Sequence, residues 1–177
     1  HGPDRLRTIA QRVHRLTCIL ANGLRRLEYE IEHDAFFDTL CVHVKGDADA
    51  ILSRARDAGY NLRQLDDEHL ALSLDEATNT ADVDKLFRVF AGQAGISVSV
   101  AGLGEETATV VPDHLRRRSL FLTHPVFNSH HSETQMLRYL RHLQEKDVAL
   151  DRSMIPLGSC TMKLNATTEM EPITWRE

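Results

Sequence analysis

Leu6, Ile9, Val13, Leu16, Leu20, Leu24 and Leu27 recur at steps of three and four near the start of the chain. Residues at those spacings share one face of an α-helix, and Arg5, Arg7, Arg12, Arg15, Arg25 and Arg26 fall between them. The run predicts a long amphipathic helix over residues 4–28. A helix of that length carries an apolar stripe about 35 Å long, at 1.5 Å per residue, which must be buried against another layer. Pro3 suits the first helical turn, where a missing N–H costs nothing. Asn22-Gly23 interrupts the pattern late and predicts a kink or a restart.

The next segments supply the second layer. In "FFDTLCVHV", residues 36–44, Phe36, Leu40, Val42 and Val44 share one face at period two and Thr39, Cys41 and His43 share the other, as in a half-buried strand. Asp47 is placed to cap a short helix that buries Ile51, Leu52 and Ala55, with Gly59 where a helix terminates. "NLRQL" and "HLALSL" flank the polar "DDEH" as two strands joined by a tight turn. "DVDKLFRVFAGQAG" is a further helix with Val83, Leu86, Phe87 and Phe90 facing inward. This order predicts an α+β fold, a small mostly antiparallel sheet covered on one side by helices.

Past residue 91 the texture changes. "GISVSVAGLGEETATVVPD" is rich in Gly, Ser and Thr, alternates weakly through Ile96, Val98 and Val100, and reads as a linker with at most a brief strand. A second helix starts at Ser132, which stands at capping-box spacing from Gln135, and carries the stripe Met136, Leu140 and Leu143. After Asp151 the periodicity stops and the chain reads as extended or looped.

Composition excludes several functions. Hydrophobic residues at 42% and charged residues at 27% place the 177-residue chain among ordinary globular sequences. A net charge of -5 offers no field for a phosphate backbone, so nucleic acid is not expected as a partner. No run reaches the roughly 18 apolar residues of a membrane span, and no signal-peptide pattern opens the chain. Three cysteines, Cys18, Cys41 and Cys160, with no CxxC spacing, point to a reducing compartment. The chain opens on His1 without a Met, as expected of a piece of something longer.

Among chemical candidates, His130, His131 and Glu133 resemble metal ligands by type, but adjacent histidines diverge on either a strand or a helix, and no metal site is expected. Gly102 and Gly104 make half of a phosphate-loop fingerprint without its preceding strand. Arg116, Arg117 and Arg118 read as solvated surface, and Cys18 and Cys41 as small core hydrophobes. "PLGSCTMKLNAT", residues 156–167, is richer: Ser159, Thr161 and Asn165 supply donors and acceptors, Lys163 a cation, and Gly158 close backbone approach. The set suits the carboxylate or phosphate of a small ligand, and it equally suits a connecting loop.

"HPVFNSHHSETQMLRYLRHLQEKDVALDRSMIPLGSCTMKLNATTEMEPITW", residues 124–175, closely resembles the glycine decarboxylase (P-protein) family of the glycine cleavage system. The match falls where the first of that family's two homologous halves passes into the second. Upstream, "HGPDRLRTIAQRVHRLTCILANGL", "FFDTLCVHV" and "DADAILSRARDAGYNLR" are similar to the end of the first half, so the resemblance covers essentially the whole chain. Its most specific parts are "HPVFNSHHSE" and "SMIPLGSCTMKLNATTEM". Trp175-Arg176-Glu177 departs from the family, which usually has Pro between Trp and Glu.

The resemblance implies the small domain of an aspartate-aminotransferase-like enzyme, pyridoxal-phosphate fold type I, with a helical and extended C-terminal arm. Residues 1–110 would be the small C-terminal domain of the first half, 111–131 a linker, and 132–177 the opening helix and arm of the catalytic half. The implied parent is an oxidoreductase that decarboxylates glycine with pyridoxal phosphate, releases CO2 and passes the aminomethyl group to the lipoyl arm of the H-protein. The T- and L-proteins act in the same pathway, and the parent would be a homodimer. Ser159, Cys160, Thr161, Lys163 and Asn165 would line the entrance to the glycine and cofactor site, with Cys160 open to oxidation. The family carries its Schiff-base lysine in a His-Lys-Thr context far into the second half. Lys45, Lys85, Lys146 and Lys163 lack that context, so the catalytic lysine is expected outside this chain, which alone should be inactive. A bacterial cytoplasm or a mitochondrial matrix would be its compartment. The alternative is a non-catalytic α+β binding or assembly module.

Overall fold

The computed structural model of the chain describes residues 1–92, 98–108, 111–146, 168 and 171–175. The chain falls into two compact units, His1–Thr123 and His124–Glu177.

The first unit is built on the predicted amphipathic helix, α1, Gly2–Arg26, with Pro3 in its opening turn. Its inward face buries Val13, Leu16, Ile19, Leu20 and Leu24, while Leu6, at the outer end of the stripe, is exposed. The expected kink at Asn22-Gly23 does not occur, and the helix runs through it. Gly23 is there for space: a Cβ on it would penetrate the edge of the Phe87 ring and come within 3.1 Å of Leu103. The helix stops at Glu28, whose φ of 67° is left-handed. Glu28 N–H donates to Arg25 O and Tyr29 N–H to Leu24 O, both at 3.0 Å. That is a Schellman closure with glutamate in the place usually held by glycine.

Next come β1, Glu30–Ile31, and β2, Thr39–His43, then α2, Ala48–Asp57. β3, Arg63–Gln64, and β4, His69–Ser73, form the hairpin expected around "DDEH", and α3, Thr80–Ala91, and α4, Val100–Gly104, complete the order. The sheet is antiparallel throughout, in the order β1-β2-β4-β3. Period-two alternation sends Leu40, Val42, Leu70 and Leu72 inward, where they join Leu20, Leu24, Ile51, Val83 and Phe87 in one core. Thr39, Cys41, His43, His69 and Ser73 lie on the other face. The α+β reading with helices on one side of a small sheet is therefore what the chain adopts.

Local chemistry sets the helix ends. Asn79 accepts from Ala81 and Asp82 N–H, and Asp82 accepts from Asn79 N–H, a full capping box that starts α3 ahead of the expected "DVDKL". Asp47 occupies the N-cap of α2 but makes no side-chain capping bond, contrary to expectation. Gly59 closes α2 with φ +83° as expected. The segment read as a linker contains α4, because Ser99 accepts from Gly102 N–H and Val100 and Leu103 are buried. Gly102 thus lies inside a short capped helix, not in a phosphate loop.

In the second unit, His124 Nδ1 accepts from Val126 N–H at 3.2 Å and opens a 3-10 turn, Pro125–Asn128. Ser132 accepts from Gln135 N–H at 3.3 Å and starts α5, Glu133–Gln144, where capping-box spacing placed it. The stripe Met136, Leu140 and Leu143 is exposed, as is Leu137 beside it. A second 3-10 turn spans Glu171–Thr174.

Candidate functional site

The residues expected to carry ligand chemistry, Ser159, Cys160, Thr161, Lys163 and Asn165, lie outside the described residues. Of the other sequence candidates, His130 stacks on Tyr139 with ring centroids 4.3 Å apart. Among the described residues, no group of His, Cys, Asp and Glu is arranged to hold a metal ion. Arg117 lies over the Phe121 ring at 5.4 Å, a cation–π contact, so the arginine run is not merely solvated.

Two polar constellations that the sequence did not single out appear in the first unit. One covers the open sheet face. His43 and His69 are direct cross-strand partners with ring centroids 5.1 Å apart. His69 Nδ1 donates to Asp66 Oδ1 at 2.8 Å while its Nε2 stands 3.7 Å from Glu32. His43 lies 3.7 Å from Glu68 and 4.0 Å from Glu30. The hydrogen bond from Glu68 N–H, then that from His69, holds the Asp66 carboxyl below its ordinary range. Asp66, first through its hydrogen bond, raises His69, with Glu32 and Glu68 adding charge. Cys41 sits half-buried on this open face and not in the core where it was expected. Partial burial, then Glu32 and Asp66, push its thiol up, so it is a poor source of thiolate.

The other constellation is a cavity of about 270 Å³ beside α1, lined by Cys18, Asn22, Arg25, Phe36, Glu106 and Thr107. Asn22 Nδ2 donates to Thr107 Oγ1 at 3.0 Å, and Thr107 donates to Leu103 O at 2.9 Å, tying the α4 end to α1. Arg26 pairs with Glu106 at the rim. Helical spacing was the available signal: Cys18, Asn22 and Arg25 are four and three residues apart, on one side of α1. The apolar stripe overshadowed it.

Comparison with known proteins decides the family. The family model described as Glycine cleavage system P-protein matches residues 1–90. The chain belongs to the glycine cleavage system P-protein family. Its relatives match beyond the region of that model. Proteins named glycine dehydrogenase (decarboxylating) from Vibrio cholerae serotype O1 and Stenotrophomonas maltophilia are 54% and 55% identical over 100% of the chain. The one from Xanthomonas oryzae pv. oryzae is 57% identical, also over 100% of the chain. The chain spans only 17–18% of the length of these P-protein relatives. The match of the P-protein model to residues 1–90 covers the helix-covered sheet from α1 to α3. Full-length identity extends it through α5 and "SMIPLGSCTMKLNATTEM". Among the described residues no helix is long and apolar enough to cross a membrane.

Proposed function

We propose that the chain is a non-catalytic stretch of a pyridoxal-phosphate-dependent glycine decarboxylase, at the junction of the enzyme's two homologous halves. The observation that carries this reading is identity of 54–57% over the whole chain to enzymes named glycine dehydrogenase (decarboxylating), several times its length. The parent decarboxylates glycine, releases CO2 and delivers the aminomethyl group to the lipoyl arm of the H-protein, in a homodimeric fold type I enzyme. The helix-covered sheet is the small domain of the first half, and α5 with the arm beyond it opens the catalytic half. When bound, pyridoxal phosphate supplies the electron sink for loss of CO2.

The described residues themselves do not fit that cofactor. Its aldehyde needs a lysine at an enclosed site, and the described lysines are exposed. Lys45 Nζ donates to Glu28 O at 3.2 Å, and Lys85 stands 6.0 Å from the Tyr60 ring centroid. No step of the reaction is therefore assigned to them. The ligand chemistry is carried instead by Ser159, Cys160, Thr161, Lys163 and Asn165. In the parent, Lys163 and the hydroxyls orient an anionic group of the ligand and Asn165 positions it.

The test is a titration with pyridoxal phosphate followed by absorbance. The full-length protein should give a saturable Schiff-base band, and the 177-residue chain should give none. A saturable band from the short chain would overturn the assignment of the lysine to the remainder of the protein. In the full-length enzyme, Lys163→Ala should raise KM for glycine or lower turnover. Unchanged values of both would remove Lys163 from the site.

A further inference from the structure

The cavity beside α1 brings two opposite charges to one space without pairing them. Arg25, in the last turn of α1, and Asp34, in the segment between β1 and β2, both line it. Among the described residues, neither side chain has an ion-pair or hydrogen-bond partner. Glu106, also in the wall, is already matched by Arg26. One uncompensated cation and one uncompensated anion therefore face the same cavity. Both are exposed, so a ligand reaches them without rearrangement of the core. Asn22 adds a fixed acceptor. Leu103 O can only accept, so the Thr107 hydroxyl donates to it at 2.9 Å and accepts from Asn22 Nδ2 at 3.0 Å. That bond turns the amide nitrogen to Thr107 and leaves Asn22 Oδ1 as an acceptor with no partner among the described residues.

Charge pattern and size together select the ligand. A simple anion gains from Arg25 but is repelled by Asp34, and a simple cation meets the reverse. A zwitterion satisfies both, with guanidinium donors on its carboxylate and carboxylate and amide acceptors on its ammonium. At about 270 Å³, against about 30 Å³ for the share of one water in the liquid, the cavity holds a molecule of up to about nine non-hydrogen atoms. That lies just below the range of drug-sized pockets, about 300–1,000 Å³, and suits a small α-amino acid. Phe36 and Cys18 supply the apolar part of the wall, which suits a short apolar side chain. We propose that this cavity is a binding site for a small α-amino acid, its carboxylate held by Arg25 and its ammonium by Asp34 and Asn22 Oδ1. The ligand joins α1 to the segment before β2 and to the chain just after α4, so occupancy stabilises the first unit by mass action. None of these residues belongs to the set from Ser159 to Asn165, so the site is additional to the one proposed above.

The experiment is calorimetric titration of the intact full-length protein with L-alanine, with propionate and with ethylamine. L-alanine should bind saturably, with a Kd in the millimolar range. Propionate and ethylamine each lack one charge and should bind about tenfold more weakly or worse, the factor that one charge-assisted hydrogen bond is worth. Arg25→Gln should weaken L-alanine about tenfold or more and abolish its advantage over ethylamine. Asp34→Asn should weaken it similarly and abolish its advantage over propionate. Each variant thus loses recognition of one named end of the ligand and keeps the other, a split that a disturbed fold would not produce. Absence of saturable L-alanine binding would overturn the proposal. Unchanged L-alanine affinity in both variants would do so too, by placing the binding elsewhere in the protein, as would an equal loss of all three ligands. The heat of binding needs neither pyridoxal phosphate nor turnover, so failure here leaves the glycine decarboxylase reading untouched.

Discussion

Alanine at Gly23 should destabilise the first unit, although helix propensity alone argues the opposite. In an unencumbered helix interior, Gly→Ala gains about 0.5–1 kcal/mol. Here the added Cβ would overlap the Phe87 ring edge and meet Leu103 at 3.1 Å. Phe87 is fully buried, at 0% exposure, so the ring has no open space into which to swing, and Leu103 at 1% blocks the other side. Overpacking of a filled core costs about 1–3 kcal/mol, and an overlap with a rigid ring belongs in the upper part of that range. After the propensity gain is subtracted, Gly23→Ala should cost about 1–2 kcal/mol. With m near 2 kcal/mol/M for a domain of this size, the urea midpoint should fall by about 0.5–1 M. Phe87→Leu removes the ring edge, so adding Gly23→Ala to that background should be neutral or stabilising, a coupling of about 1–3 kcal/mol in the double-mutant cycle. An unchanged or higher midpoint for the single variant would refute the packing account, as would an equal penalty in both backgrounds.

Glu28→Gly should stabilise the same unit by up to about 1 kcal/mol, read from the urea midpoint, because φ of 67° is strained for glutamate and natural for glycine. Asp66→Asn should lower stability most between about pH 4 and pH 6.5, the ordinary carboxyl and imidazole values. The depressed Asp66 value contributes stability that is lost as pH falls through it, and the raised His69 value contributes stability that is lost as pH rises through it. Urea midpoints of variant and parent should therefore converge in strong acid and draw closer without meeting above the raised imidazole value, where the hydrogen bond from Glu68 N–H to Asp66 remains, and a pH-independent gap would refute the pairing. Burial, then the hydrogen bond to Asp82, pushes the Tyr60 phenol up to about 12. Its contribution is complete below the ordinary value of 10 and is lost as pH rises from there to about 12. Tyr60→Phe should make the urea midpoint less steeply dependent on pH across that interval, and an unchanged slope would remove Tyr60 from alkaline unfolding.

Legibility tracked the range over which each feature is determined. The stripe of α1, the alternation of β2 and β4, and the inward residues Val83, Leu86, Phe87 and Phe90 of α3 repeat at periods set by local geometry, so neighbours in sequence suffice to read them. β1 is two residues long and exists because the edge of β2 offers Val42 and His43 as partners, which no local pattern announces. α4 was hidden by the alternation of Val98 and Val100, whose burial in fact comes from the helices around them. The polar constellations were harder still. Asn22 gains its meaning from a hydroxyl eighty-five residues away, and His43 from a histidine on the next strand.

Gly23 and Glu28 show the limit most sharply, because at both positions the local rule points the wrong way. A glycine late in a helix reads as a break, yet at Gly23 α1 packs against α3, and its missing side chain admits the Phe87 ring. A glutamate reads as a residue that continues a helix, yet Glu28 takes the left-handed conformation that ends this one. Its cost, of the order of 1 kcal/mol, is small beside the packing that the turn makes possible. Tyr29 reaches Phe90 O with its hydroxyl at 2.9 Å and packs edge-on against the Phe90 ring, and Ile31 enters the core through β1. Burial of one such side chain is worth about 1.5–3 kcal/mol, so packing beyond the turn outweighs the strain within it, and the helix ends where the tertiary structure requires.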